Sequence, residues 1–341
     1  MSAVAISGTG LIGASIGLGL ARAGWTVIGW DPDAAVLATA KELGAITQIA
    51  ESFAALVSGD ADLIVMAGPP RAVIEQVAEL ETDSLVIDVA GVKTAVLGAA
   101  RPTRFVGTHP MAGREVTGPQ GASPSLFRGA TWVVVVDGAA EADLRTVEAA
   151  LGQLGARPVR MTAAEHDAAI AMISHLPQVL ATALVNEAAD RINALDLAAG
   201  SFRDLTRVAA SDPAIWVDLL DINSADVVGA IEDFRQRLGV VADALVEGDA
   251  DVISAFLSRG QEIRRTMAPG AVPVRVALAD EPGELARVGR ALGSSSVDVR
   301  DLQLRHAPHG GGGVLTVSVR PGEAETLRTA LADEGLLVLD S

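Results

Sequence analysis

Six residues near the amino terminus, Gly8-Thr9-Gly10-Leu11-Ile12-Gly13, constrain this chain more than any other feature. They follow an apolar run at 3–7 and open a helical pattern at 15–23. In that context the first glycine permits a tight turn. The second lets backbone approach a pyrophosphate, and the third lets helix and strand pack closely. Backbone N–H groups at the helix start, with Leu11 and Ile12 beside them, then face the phosphates. Asp31 ends the next apolar run, where an acid accepts from a ribose 2′-hydroxyl and repels a 2′-phosphate. NAD, rather than NADP, is the cofactor this predicts.

Further apolar runs at 26–29, 63–67, 85–89, 105–108 and 132–136 are continuous rather than alternating. Strands of that kind are buried on both faces, as in a parallel sheet covered by helices. Helical patterns lie between most of them, so residues 1–163 read as an α/β, doubly wound Rossmann-type domain. Thr162-Ala163-Ala164-Glu165 forms a capping-box pattern and marks a change. Residues 164–268 read as all-helical, with Val227, Val228, Ile231, Phe234, Leu238, Val241 and Leu245 on one apolar face. Ala268-Pro269-Gly270 reads as a linker. From 272 to 341 the order strand, helix, strand, strand, helix, strand is ferredoxin-like. Three domains are expected.

Composition removes several function classes. The formal charge is −17, from 26 basic and 43 acidic residues, which argues against nucleic acid or an anionic membrane as partner. No cysteine is present, so thiolate metal sites and cysteine nucleophiles are excluded. Residues 1–21 carry no charged side chain, but glycines interrupt them and no basic segment precedes them, unlike a targeting peptide. A cytoplasmic protein without membrane or metal is expected.

Four polar segments are not explained by packing. Asp88-Val89-Ala90-Gly91-Val92-Lys93 lies at a strand's carboxyl end, the ligand side of such sheets, and Lys93 is one of only two lysines. Thr108-His109-Pro110-Met111-Ala112-Gly113-Arg114-Glu115 follows the next strand. Ser174-His175-Leu176-Pro177-Gln178 interrupts an apolar helix with a proline, and Ser174 and Gln178 share a face. Arg203-Asp204-Leu205-Thr206-Arg207 comes next, with Trp216 beyond it. His166 and Asp167 read as solvated residues of a helix start, His175 as either a site or a structural residue, and His306 and His309 as loop residues.

These motifs, in this order and spacing, resemble the prephenate/arogenate dehydrogenases over about residues 3–267. The remainder, with Asp280-Glu281-Pro282-Gly283-Glu284-Leu285, resembles an ACT domain, a module that binds amino-acid effectors. The resemblance implies an NAD-dependent oxidative decarboxylation in tyrosine biosynthesis, acting on a dicarboxylate, prephenate or arogenate. By it, His109 is the catalytic base or hydrogen-bond acceptor, and Arg207 holds a substrate carboxylate through its guanidinium fork. Asp204 orients that guanidinium, Glu115 stands at the pocket entrance, and Trp216 flanks the pocket. Lys93 joins the catalytic set by adding local positive charge. Ser174 and Gln178 belong to the substrate pocket, and the helical domain forms a homodimer.

Two positions depart from the pattern: Gly91 stands where the family usually has serine, and Gln178 where it often has histidine. Gln178 donates and accepts but carries no charge, which leaves the choice between prephenate and arogenate open. A β-hydroxyacid dehydrogenase is the more distant enzyme alternative, but residues 164–267 contain no lysine to serve as its base. From another class, a non-catalytic amino-acid and NAD sensor is favoured only by Gly91.

Overall fold

The computed structural model describes residues 2–113, 117–267, 272–297, 299–306 and 312–339. It begins with β1 (Ala3–Ser7), α1 (Leu11–Arg22), β2 (Thr26–Trp30), α2 (Ala34–Glu42), β3 (Gln48–Ile49) and α3 (Phe53–Val57). β4 (Leu63–Met66), α4 (Pro70–Glu79), β5 (Leu85–Asp88), α5 (Thr94–Ala99) and β6 (Phe105–Val106) follow. Their six strands form a parallel sheet in the order β3-β2-β1-β4-β5-β6. Val4, Ile6, Val65 and Ile87 pack into one apolar layer, and Ala5, Ile64, Met66 and Val86 into another. Both faces are buried, which is why the strands are continuously apolar.

The apolar run 105–108 is not one strand. At Gly107 the chain leaves this sheet, and β7 (Thr108–Pro110) joins β8 (Thr131–Val135) antiparallel, with His109 opposite Val133. A Cβ at Gly107 would come within 2.6 Å of a Leu97 methyl, so a larger residue where the chain turns would displace that side chain. After α6 (Glu141–Gln153), β9 (Arg157–Met161) completes a separate three-stranded sheet, β7-β8-β9. The run at 132–136 therefore belongs to a second sheet, not to the doubly wound one.

The helical stretch contains α7 (Ala163–Ile170), α8 (Leu176–Ala189), α9 (Gly200–Thr206), α10 (Pro213–Ile222), α11 (Ser224–Glu247) and α12 (Ala250–Met267). Thr162 caps α7 through the reciprocal bonds with Glu165 that the sequence suggests. Ala163, His166, Asp167 and Ile170 form its buried stripe. Between α7 and α8 the residues 171–175 form a π-helical turn. Pro177 lacks the N–H that a regular helix there would use, and such turns absorb the missing bond.

β10 (Val272–Leu278), α13 (Glu284–Ser295), β11 (Val299–His306), β12 (Gly313–Val319), α14 (Ala324–Asp333) and β13 (Leu337–Leu339) complete the chain. Their antiparallel sheet has the order β11-β12-β10-β13, the ferredoxin-like arrangement, over a core that includes Val274, Val276, Leu315, Val317, Leu327 and Leu331. By compactness the chain divides into two units, 1–237 and 238–341, so the division falls within α11. The linker expected at 268–270 lies outside the described residues.

Candidate active site

The glycine turn is built as its spacing requires. Gly8 has φ +91°, and a Cβ there would lie 2.6 Å from the Ala67 carbonyl carbon. A Cβ on Gly13 would lie 1.9 Å from Gly8 O. Gly10 differs, because a Cβ there meets no protein atom within 4 Å. Protein packing therefore explains Gly8 and Gly13, whereas open space beside Gly10 fits an approaching pyrophosphate. Gly10 caps α1 without a side-chain bond, leaving the first amides of a 12-residue helix available to an anion. Asp31 stands at the end of β2. Its Oδ2 accepts from Thr9 N at 2.7 Å and its Oδ1 from Asp33 N at 3.0 Å. The expected ribose acceptor thus also ties the glycine turn to β2. These residues fit a dinucleotide.

At the carboxyl ends of β5 and β7 lies a polar centre assembled from distant segments. His109 Nδ1 is 2.9 Å from His166 Nε2, and His166 Nδ1 is 2.7 Å from Asp167 Oδ1. Asp167 also accepts at 2.8 Å from Lys93 N on Oδ1, and at 2.8 Å from Thr94 N on Oδ2. Burial favours the neutral acid, but the bonds from His166, Thr94 and Lys93 outweigh it and hold Asp167 at about 2. Burial acts first on His109, and the charges of His166, Lys93 and His175 add to it against Asp167. Its pKa is thereby held well below the ordinary 6.5. His109 is thus a neutral imidazole near pH 7. A Cβ on Gly91 would stand 3.8 Å from His109 Nε2 and 3.2 Å from a Leu219 methyl.

The structure corrects two sequence readings here. His166 and Asp167 are not solvated; they are 1% and 3% exposed. Their signal was the spacing 163, 166, 167, 170, which places both on the stripe that faces the interior. Lys93 is likewise wholly buried, with its ammonium bonded to Asp88 and to Thr108 O. Burial lowers the Lys93 pKa and raises that of Asp88, while their ion pair opposes both shifts. Lys93 is thus enclosed away from any substrate carboxylate. Its ammonium bonds Thr108 O on the strand that carries His109.

Two of the substrate-side candidates, Gln178 and Trp216, line a groove of about 430 Å³ on the helical stretch. Gln178, Asn186, Ala209, Ser211, Trp216 and Leu220 are among its lining residues. Gln178 is buried, and its Oε1 has no hydrogen-bond partner. Trp216 meets His175 edge-on, with ring centres 6.2 Å apart. His175 Nδ1 lies 3.3 Å from Asn223 Nδ2, which also donates to Asp167 O at 3.0 Å. His175 therefore supports the packing behind the centre. Ser174 is half-buried in the π-helical turn. Asp204 is exposed on α9, and the exposed Arg207 opens the short 3₁₀ turn that continues to the groove residue Ala209. Glu115 and Arg114 lie outside the described residues. Sequence reasoning missed His166, Asp167 and Asn223.

Comparison with known proteins agrees with this geometry. Residues 16–160 match the family described as prephenate dehydrogenase, nucleotide-binding domain, and residues 162–259 match prephenate dehydrogenase, dimerization domain. A prephenate dehydrogenase of Lactococcus lactis subsp. cremoris is 32% identical, over 84% of this chain and 85% of its own. The structure of a prephenate dehydrogenase from A. aeolicus, in complex with hydroxyphenyl propionate and NAD+, has TM-score 0.72 and 27% identity. That match covers 78% of this chain and 98% of the other. A Synechocystis arogenate dehydrogenase structure has TM-score 0.69 and 27% identity, covering 78% of this chain and all of its own. With its glycine turn, its enclosed histidine centre and these matches, the chain belongs to the prephenate dehydrogenase family.

Proposed function

We propose that the protein is an NAD-dependent prephenate dehydrogenase, converting prephenate to 4-hydroxyphenylpyruvate in tyrosine biosynthesis. The observation that carries this reading is a neutral His109 whose Nδ1 is engaged and whose Nε2 lies beside Gly91 at the ligand end of the sheet. NAD, when bound, supplies the hydride acceptor. The hydroxyl proton of the substrate passes to His109 Nε2 as hydride leaves the same ring carbon. The ring carboxylate departs as CO₂, its bonding electrons complete the aromatic ring, and the phenolate oxygen takes the proton back from His109 Nε2. Arg207 holds the remaining carboxylate, Asp204 orients its guanidinium, and Trp216, Ser174 and Gln178 shape the side-chain end. Position 91 carries no hydroxyl in this chain.

One observation favours arogenate as a second substrate. The unpartnered Gln178 Oε1 is an acceptor, and it suits an ammonium group better than a keto oxygen. Initial rates of NADH formation with prephenate and with arogenate decide the matter. A prephenate preference supports the main reading; turnover of arogenate alone replaces it.

The assembly we read is a homodimer formed through the helical stretch. Val228 is exposed on the part of α11 within unit 1. In unit 2, Leu238, Leu245 and Val246 on α11 and Phe256, Leu257 and Ile263 on α12 are exposed apolar groups of the kind that subunit contacts cover. The carboxyl-terminal unit we read as an ACT regulatory module. Asp280, Glu281, Gly283, Glu284 and Leu285 line a groove of about 170 Å³ at the start of α13, which has no side-chain cap. Such a groove takes an amino-acid carboxylate on backbone amides, and tyrosine is the first candidate. The run Ala163–Ala189 has the length and apolar composition of a membrane span. Its buried stripe instead carries His166, Asp167 and Gln178, so we read a cytoplasmic enzyme.

A further inference from the structure

Neutral imidazole carries one N–H, so His109 accepts a proton through Nε2 only if its hydrogen sits on Nδ1. The hydrogen-bond chain behind it decides this. Asp167 is ionised and therefore only accepts, so the 2.7 Å contact requires His166 Nδ1 to be the donor. With that hydrogen as the only one on the ring, His166 Nε2 is an acceptor. The 2.9 Å contact with His109 Nδ1 requires that nitrogen to carry the hydrogen. His109 Nε2 is left bare, beside Gly91.

The same chain offers the captured proton a route. When His109 accepts a proton on Nε2, its Nδ1 proton can cross to His166 Nε2. The positive charge then rests beside the Asp167 carboxylate. No atom or electron is needed from elsewhere: the substrate O–H and the His109 Nδ1–H bonds break, N–H bonds form at His109 Nε2 and His166 Nε2, and the transfers reverse when the phenolate oxygen takes its proton back. The amides of Lys93 and Thr94, at the start of α5, fix Asp167 for this task. We propose that Asp167 and His166 form a proton relay behind His109, setting its tautomer and taking up the positive charge as the substrate hydroxyl is oxidised. His166 and Asp167 are positioning residues, since neither reaches the reacting atoms except through His109. The proposal rests on His109 being the base of the reaction described above.

The other groups facing this chain are accounted for. The Lys93 ammonium, paired with Asp88, lies on the β5 side and opposes a charge on His109. His175 in the π-helical turn opposes it too, while Asn223 at the end of α10 holds the backbone of Asp167. Asp167 is an anion that favours a proton on His109.

Two substitutions separate orientation from charge uptake. His166→Phe keeps a ring edge-on to His109 but removes both bonds. His166→Gln restores a donor and an acceptor but cannot take the proton. The expected loss in kcat is about 10²-fold or more for His166→Phe and about 10-fold for His166→Gln, within the range of proton-transfer assistance. KM for substrate and NAD affinity should stay within about twofold, because the relay acts only as charge develops. The Nδ1 acceptor of the His109 imidazolium is lost in His166→Phe and kept in His166→Gln, so the acid limb of kcat/KM moves in the first variant. Wild-type kcat and an unmoved limb in His166→Phe overturn the relay, as does a kcat loss matched by equal loss of NAD affinity.

Nitrogen-15 NMR of histidine-labelled wild-type protein with NAD tests the tautomer without any substrate or variant. Hydrogen on His109 Nδ1 and on His166 Nδ1 is expected. Hydrogen on His109 Nε2 overturns the proposal even if prephenate is turned over. The expected tautomers with no turnover would instead sink the reading of the reaction.

Discussion

The nucleotide turn and the histidine centre handle charge in opposite ways. The turn uses backbone amides from six consecutive residues and needs side chains to be absent. The centre uses buried side chains from β5, β7, α5 and α7, with His109 and His166 separated by 57 positions. A backbone device is written locally, because glycine is the residue that permits it. A side-chain device exists only after the sheet and α7 have packed. An added Cβ at Gly8 or Gly13 therefore breaks the first, and a lost hydrogen bond breaks the second.

The sharpest way to break the comparison is at His109. His109→Asn is expected to reduce kcat by about 10²–10⁴-fold while NAD affinity is kept, as measured by NADH formation and by NAD titration. Unchanged turnover would remove the centre from catalysis.

Next in size is Arg207→Ala, which asks whether the helical stretch supplies substrate binding alone. Loss of a charge-assisted contact should raise KM for substrate about 10–150-fold without changing NAD affinity. A change confined to NAD affinity would assign Arg207 to the wrong ligand.

Smaller again is the difference between two glycines of the turn. Gly10→Ala should fold with wild-type thermal stability yet bind NAD about 10-fold more weakly, because its Cβ enters space that only the ligand uses. Gly13→Ala should lose stability as well, by about 1–3 kcal/mol, since its Cβ meets Gly8 O. Thermal melts with and without NAD separate the two; identical behaviour would contradict the division drawn here.

The smallest effect is expected at Gly91. Gly91→Ser places a hydroxyl beside His109 Nε2, with a Leu219 methyl yielding by a few tenths of an ångström. A gain in kcat of a few-fold is expected for serine and none for Gly91→Ala, on the scale of one neutral hydrogen bond. Equal responses would show that the hydroxyl does nothing there.

Much of this architecture is legible before folding. Continuous apolar runs marked the central strands, and the capping box marked α7. The edge strand β3 has two residues, and β9 reads Arg-Pro-Val-Arg-Met, so neither shows an apolar run. Gly107 looked like part of a strand because a sheet change leaves no periodic signature. Lys93 drew notice by its rarity, but whether a lysine faces ligand or an aspartate depends on burial that one sequence does not display. His166 and Asp167 looked like polar residues of an exposed helix start. Only their registration with Ala163 and Ile170 placed them inside.

The central claim is that His109, kept neutral by its surroundings, is the base that takes the hydroxyl proton as NAD oxidises prephenate. The pH dependence of kcat/KM for prephenate-dependent NADH formation tests it most directly, in the wild type and in His109→Asn. Burial, reinforced by His166, Lys93 and His175, depresses the His109 pKa, so the base form persists as pH falls past 6.5. The wild type should therefore hold its activity below pH 6.5, with an acid limb well under that value that disappears in His109→Asn. A limb at or above pH 6.5, or the same limb in both proteins, would contradict the account.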